Sequence, residues 1–275
     1  MLARRAGRVL AAIALVLTAS CVRSGTQEPG PPAPGDWRLV FHDDFRGSRL
    51  DAGRWTTCYD WNEGGCTNSG NNEQQWYLPG QVSVRDGDVT LNAERRPARG
   101  SDGKTYPWVS GMISTGRDHW DAHPRRTFTY GYFEASVRVP PQAGMFTDFW
   151  LMPASRYTPP EVDIMEFRGT TQRVRMYAHW RDRAGSDQLE AGGFGPLDFP
   201  AGHHVFGLLW KPDALTWYVD GVKRFRVTGA QRVPQVPMEL LLTLAVGVPR
   251  SPPRSVDSAR MAVDWVRVWQ TRPPH

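Results

Sequence analysis

Short runs of alternating apolar and polar residues, separated by turn residues, fill the chain from Trp37 onward. Val82-Ser83-Val84 and Val89-Thr90-Leu91-Asn92-Ala93 flank Asp86-Gly87, and Leu215 to Val219 and Val222 to Val227 flank Asp220-Gly221. Period-two alternation puts successive side chains on opposite faces of a strand, and Asp-Gly between two such runs signals a tight hairpin. Gly131 to Val139, Val174 to Trp180, His204 to Trp210, Glu239 to Val246 and Met261 to Trp269 read as further strands. No segment carries an apolar stripe at helical spacing over three turns. The pattern predicts an all-β fold, a jelly-roll sandwich of two antiparallel sheets.

One run breaks its own alternation. In Glu161-Val162-Asp163-Ile164-Met165-Glu166 the acids and apolar residues alternate for four positions, after which strict continuation would put Met165 beside the acids. One extra residue, a β-bulge, returns Glu166 to the acidic face, so that three carboxyls line one cleft. Retaining glycoside hydrolysis needs such a set: an ionised carboxylate attacks the anomeric carbon while a protonated carboxyl, about 5–5.5 Å away, donates to the leaving oxygen. Crowding keeps a proton in the cluster, because like charges held together cannot all ionise, and Asp163 lies between the two glutamates for that tuning. The alternative is a charged, solvent-facing strand edge, which three crowded acids would destabilise.

Residues 1–21 read as an export signal: Arg4, Arg5 and Arg8 precede an apolar run from Val9 to Ala19 that is too short to span a bilayer. Its end, Leu17-Thr18-Ala19-Ser20-Cys21, resembles the bacterial lipobox, which implies a lipid on Cys21; ordinary signal-peptidase cleavage is the alternative. Residues 22–36 form a Gly/Pro-rich linker, and one domain is expected over residues 37–271. The protein is thus expected outside the cell or on its surface, reaching the membrane only through that lipid. With Cys21 so used, Cys58 and Cys66 are an even pair in an oxidising compartment, expected as a disulfide rather than as two free thiols.

Composition narrows the partner. The chain has 12 Trp, whose flat faces suit the apolar faces of sugar rings. The formal charge of +5 comes almost wholly from arginine, since Lys104, Lys211 and Lys223 are the only lysines. The arginines are scattered rather than gathered into a basic stripe, so no nucleic-acid partner is expected.

The acidic run and the segments Leu39 to Phe45, Asn71 to Tyr77, Tyr130 to Ala135, Phe149 to Pro153, Trp217 to Gly221 and Val263 to Gln270 together resemble glycoside hydrolase family 16. The resemblance implies a β-jelly roll with Glu161 as nucleophile, Glu166 as acid/base and Asp163 assisting. The six-residue bulged form is similar to the laminarinase-like, agarase and carrageenase branches. An endo-acting hydrolase of β-1,3-glucan or β-1,3-1,4-glucan is the first expectation, and of a β-galactan such as agar or carrageenan the second, acting as a monomer. No cofactor is implied for catalysis, but a structural calcium is, held by Asp44, the Gly87 carbonyl and Asp264. In the same pattern Trp150 stacks on sugar, His179 makes a polar contact, and Asn72 and Glu73 approach the subsites; Trp120 either lines the cleft or caps the core. Three departures bear on substrate, one being the loop from Tyr59 to Ser69, an elaboration of this chain's own. Where laminarinase-like members read Gly-Leu-Trp-Pro-Ala-Phe-Trp, this chain reads Gly144 to Trp150 with Phe146 for the first Trp, and Met112 stands where Arg is common. A glycan-binding protein without activity is opposed by the intact acids, whereas a wall-polysaccharide transglycosylase would keep them and shield the intermediate from water.

Overall fold

Both Asp-Gly hairpins form, each closed by two residues at positive φ: Asp86 (57°) and Gly87 (86°), then Asp220 (51°) and Gly221 (74°). Two left-handed residues in succession match the twist of the flanking strands, and Asp-Gly tolerates them at little steric cost. The computed structural model describes residues 30–58, 65–119 and 121–272. The export signal, Cys21, residues 22–29 of the linker and Trp120 lie outside the described residues.

Within them the strands are β1 Trp37–Asp43, β2 Gln75–Tyr77, β3 Val82–Arg85, β4 Asp88–Glu94, β5 Ala98–Arg99 and β6 Thr105–Tyr106. There follow β7 Trp108–Ser110, β8 Met112–Ser114, β9 Gly131–Arg138, β10 Met145–Pro153, β11 Glu161–Arg168 and β12 Val174–Arg181. The last six are β13 Asp187–Phe194, β14 His204–Lys211, β15 Ala214–Val219, β16 Val222–Thr228, β17 Met238–Val246 and β18 Ser258–Thr271. Helical structure among the described residues is confined to single 3-10 turns, such as Ser69–Asn71 and Pro79–Gln81.

Ten strands form one sheet in the order β16-β15-β14-β9-β18-β4-β7-β2, with β1 added beside β18 and β3 beside β4. Six form the other, in the order β13-β12-β11-β10-β17-β8. The order is far from the chain order, as a jelly roll requires. Pairing is antiparallel except between β2 and β7, which run parallel. The core lies between the sheets, where Phe133, Leu208 and Trp217 of the larger meet Val162, Ile164 and Leu242 of the smaller, all fully buried. β10 and β17 are buried along their whole length. Their inner residues fill the core, so their outer residues must be covered on the far face, and that face carries the cleft. Cys58 and Cys66 are joined as a disulfide, Cα–Cα 5.1 Å, and Cys66 packs on the Tyr77, Met112 and Trp150 cluster beneath the cleft.

Candidate active site

Strand β11 takes its shape from a competition for the core. Val162, Ile164 and Met165 are all fully buried, so three apolar side chains claim the inner face within four positions, which a regular strand cannot supply. The ladder yields there. Asp163 lies opposite Tyr177 and Glu166 opposite Arg175, three steps on β11 against two on β12. On the other side Phe149 faces Met165 and Trp150 faces Asp163. This one-residue bulge leaves Glu161, Asp163 and Glu166 together on the outer face. Trp217 of β15 reaches through the core, its indole N–H donating to the Asp163 carbonyl at 2.9 Å, and so fastens the catalytic strand to the opposite sheet.

The three acids line a cleft of about 590 Å³ with Asp148, Trp150 and His179. His179 Nε2 sits 3.1 Å from Asp163 Oδ2 and 3.9 Å from Glu161 Oε1. Burial, reinforced by the charge of Asp163, pushes Glu161 up to about 8 and Glu166 up to about 7. Burial also opposes charge on His179, but its hydrogen bond to Asp163 and the surrounding acids outweigh it and raise the imidazole. At neutral pH the cluster therefore retains protons, and the acids facing His179 favour the charged form of its ring. An ionised and a protonated carboxyl side by side is the condition for nucleophile and acid to coexist.

Two more carboxyls border the same space. Glu73 is pushed up to about 7, chiefly by burial. Gln75 locks it in place, donating to Glu73 Oε2 at 2.6 Å while accepting the Val246 N–H at 2.7 Å. Asp148, opposite Glu166 on β10, is raised well above the ordinary range by burial and then by Asp163 and Glu166.

A profile of the glycosyl hydrolases family 16 matches residues 70–267. The chain belongs to this family. It is 30% identical over 246 residues to the endo-1,3-1,4-beta-glycanase EglC of Rhizobium meliloti (strain 1021), an alignment covering 84% of this chain and 51% of that protein. It is 32% identical to the glucan endo-1,3-beta-glucosidase of Cryptopygus antarcticus over 68% of each. Among solved structures, the endo-beta-1,3-glucanase from Pyrococcus furiosus superposes with a TM-score of 0.70 at 27% identity, covering 86% of this chain and 96% of that one. The chain spans about half the length of the first of these curated relatives.

Within this family 16 cleft the remaining expectations separate. Trp150 lines the cleft but is only 6% exposed, packed among Tyr77, Met112, Met152 and Leu241; it offers an edge more than a face. Met112 belongs to that same cluster, an apolar filler where a charged side chain would need a partner. Phe146 does border the cleft, with the Arg168 guanidinium 5.8 Å from its ring. Asn72 takes a left-handed turn conformation (φ 56°) between Asn71 and Glu73, which line the wall. Asp148, Tyr177 and Thr243, which the sequence pattern does not single out, also border the cleft. A signal for Asp148 was available: it is the lone acid in the mostly apolar run from Met145 to Pro153.

The residues expected to hold calcium follow one stretch of the larger sheet: Asp43 pairs with Val266 and Val89 with Val263, with Asp264 between these partners on β18, Asp44 just after β1 and Gly87 in the turn before β4. Two carboxylates and a carbonyl are hard oxygen donors of the kind calcium takes. Asp44 Oδ1, however, accepts from Arg267 at 2.9 Å, so an ion there would have to take the place of that guanidinium.

Proposed function

We propose that this chain is a retaining endo-β-glucanase acting on β-1,3-glucan or mixed β-1,3-1,4-glucan. The observation that carries the reading is the bulge, through which one strand offers Glu161, Asp163 and Glu166 to a single open cleft. The activity of the Cryptopygus antarcticus relative, a glucan endo-1,3-beta-glucosidase, favours glucan over galactan. In the first step Glu161 attacks the anomeric carbon as the glycosidic bond breaks, and Glu166 gives its proton to the leaving oxygen. In the second, Glu166 takes a proton from water, whose oxygen displaces Glu161 and frees the sugar. Asp163 and His179 lie beside the nucleophile, where the ring, when protonated, favours its ionised form. Exposed Leu189 at the rim of the cleft gives an apolar surface for a distant sugar ring.

The protein acts outside the cell, held by a lipid on Cys21. The basic start and short apolar run support this, as does the Cys58–Cys66 disulfide, a bond that persists in oxidising compartments. Calcium binds where Asp44, Gly87 and Asp264 meet, displacing Arg267 from Asp44. Adding calcium to chelator-treated protein then raises Tm, and Asp264→Asn abolishes the rise; an unchanged Tm removes the ion from the account.

The direct test of activity is oligosaccharide release from laminarin, mixed-linkage glucan, agarose and carrageenan, read by mass spectrometry with Glu161→Gln in parallel. Products from a glucan, absent in the variant, are expected. Products from a galactan alone would move the substrate to that class, and none from any polymer would overturn the enzymatic reading.

A further inference from the structure

Asp148 deepens the reading just given and rests on its assignment of Glu166. The two face each other across the β10–β11 ladder, which sets their Cβ atoms about 4.5–5.5 Å apart on the outer face of the sheet. They are 6% and 7% exposed. Asp148 Oδ1 and Glu166 Oε1 are both buried without a hydrogen-bond partner among the described residues. Leaving a buried acceptor unpaired costs about 1–3 kcal/mol, and a proton held by two carboxyls that face each other on one sheet would relieve both. In the Gly-Leu-Trp-Pro-Ala-Phe-Trp stretch that the sequence resembles, Ala stands where this chain carries Asp148.

We propose that Asp148 and Glu166 hold one proton between them, which makes Asp148 a positioning residue that keeps the acid/base group protonated to higher pH than Glu166 would stay alone. Ionising both would place two negative charges side by side on buried carboxyls, which such pairs resist. The groups around them pull in both directions. Glu161 and Asp163 on β11 and Glu73 from the loop before β2 oppose further negative charge on Asp148. Arg168 on β11 and Arg175 and His179 on β12 favour negative charge on Glu166. Tyr177 of β12 borders the same space, its phenol raised by burial and by Glu166, and β17 contributes only Thr243, which does not titrate. Burial acts on both carboxyls in the direction of retention.

The shared proton has a consequence for each half of the reaction. When Glu166 passes it to the leaving oxygen, as the glycosidic bond breaks and the Glu161 ester forms, the pair is left with two negative charges. Glu166 then becomes a stronger base toward the incoming water, and the proton taken from that water restores the pair.

The experiment compares kcat/KM against pH for the wild-type chain, Asp148→Asn and Asp148→Ala, alongside a substrate-free infrared titration of the carboxyl bands that includes Glu166→Gln. Removing the neighbouring negative charge lowers the pH at which Glu166 loses its proton. The alkaline limb is therefore expected about one pH unit or more lower in both Asp148 variants, and the carboxylic-acid band that persists at high pH is lost in them and in Glu166→Gln. A purely structural role lowers kcat at every pH and leaves the limb in place. Folded variants with an unmoved limb and an unchanged band overturn the proposal while leaving the glucanase intact. A band lost as expected in a protein that digests no glucan keeps the proton pair and removes the activity.

Discussion

At the scale of single residues, the carboxyl cluster dictates how this protein responds to pH. With Glu161 and Glu166 raised to about 8 and about 7, kcat/KM on glucan is expected to follow a bell with its maximum near neutral pH, falling in acid as the nucleophile takes up a proton. A profile peaking near pH 4 would show the cluster to be better solvated than its burial implies. The same shifts govern stability, with a definite sign. A carboxyl raised on folding binds its proton more tightly in the native state, so its contribution is favourable below the unfolded value of 4.5 and is lost as pH rises through the folded one. Glu161→Gln is therefore expected to raise Tm above about pH 8 and to have no effect near pH 4, as scanning calorimetry at the two pH values would show. The three acids were legible in the sequence because their spacing only makes sense on a bulged strand. Asp148 was not, since whether a lone acid in an apolar strand faces core, cleft or solvent depends on register with β11. The left-handed φ of 56° at Asn72 likewise follows from the 3-10 turn before it, where the sequence offers no periodicity.

At the scale of elements, the bulge is held from both sides. The inner residues are fixed by packing, and the Asp163 carbonyl is fixed by Trp217 across the sandwich. Trp217→Phe keeps most of the ring volume but removes the donor, leaving a buried carbonyl unpaired. It is expected to cost about 1–3 kcal/mol and to lower kcat more than it raises KM. A loss of stability with unchanged kcat would show that the bulge holds itself. Strands with one wet and one buried face, such as β4 and the hairpins at Asp86-Gly87 and Asp220-Gly221, could be read directly from alternation. β10 could not, because burial on both faces erases the period, and neither could β13, an edge strand whose residues Asp187–Phe194 are largely exposed. Gly192 in that edge is explained only in three dimensions: a Cβ there would meet the Phe225 ring at 2.3 Å.

At the scale of the whole molecule, the cleft is the outer face of a sheet whose inner face is the core, so stability and catalysis share the same strands. Glu239 of β17 illustrates the coupling. It is fully buried on the face that bears the cleft, 3.8 Å from Arg117 and 3.7 Å from Arg156, which come from two separate loops. Glu239→Ala leaves the guanidinium charges facing each other without their anion, and is expected to cost about 3–5 kcal/mol in denaturant unfolding. A cost below about 1 kcal/mol would mean that the loops are held by other contacts. None of this was visible in the sequence, because the three residues are brought together by the pairing of β17 with β10 on one side and β8 on the other.

The central claim is that the bulged strand performs double displacement on a β-glucan. Proton NMR of the newly formed reducing end, followed from the first minutes of digestion of laminarin or mixed-linkage glucan, tests it most directly. The account predicts the β-anomer first, with the α-anomer growing in only as mutarotation proceeds; initial release of the α-anomer would contradict it.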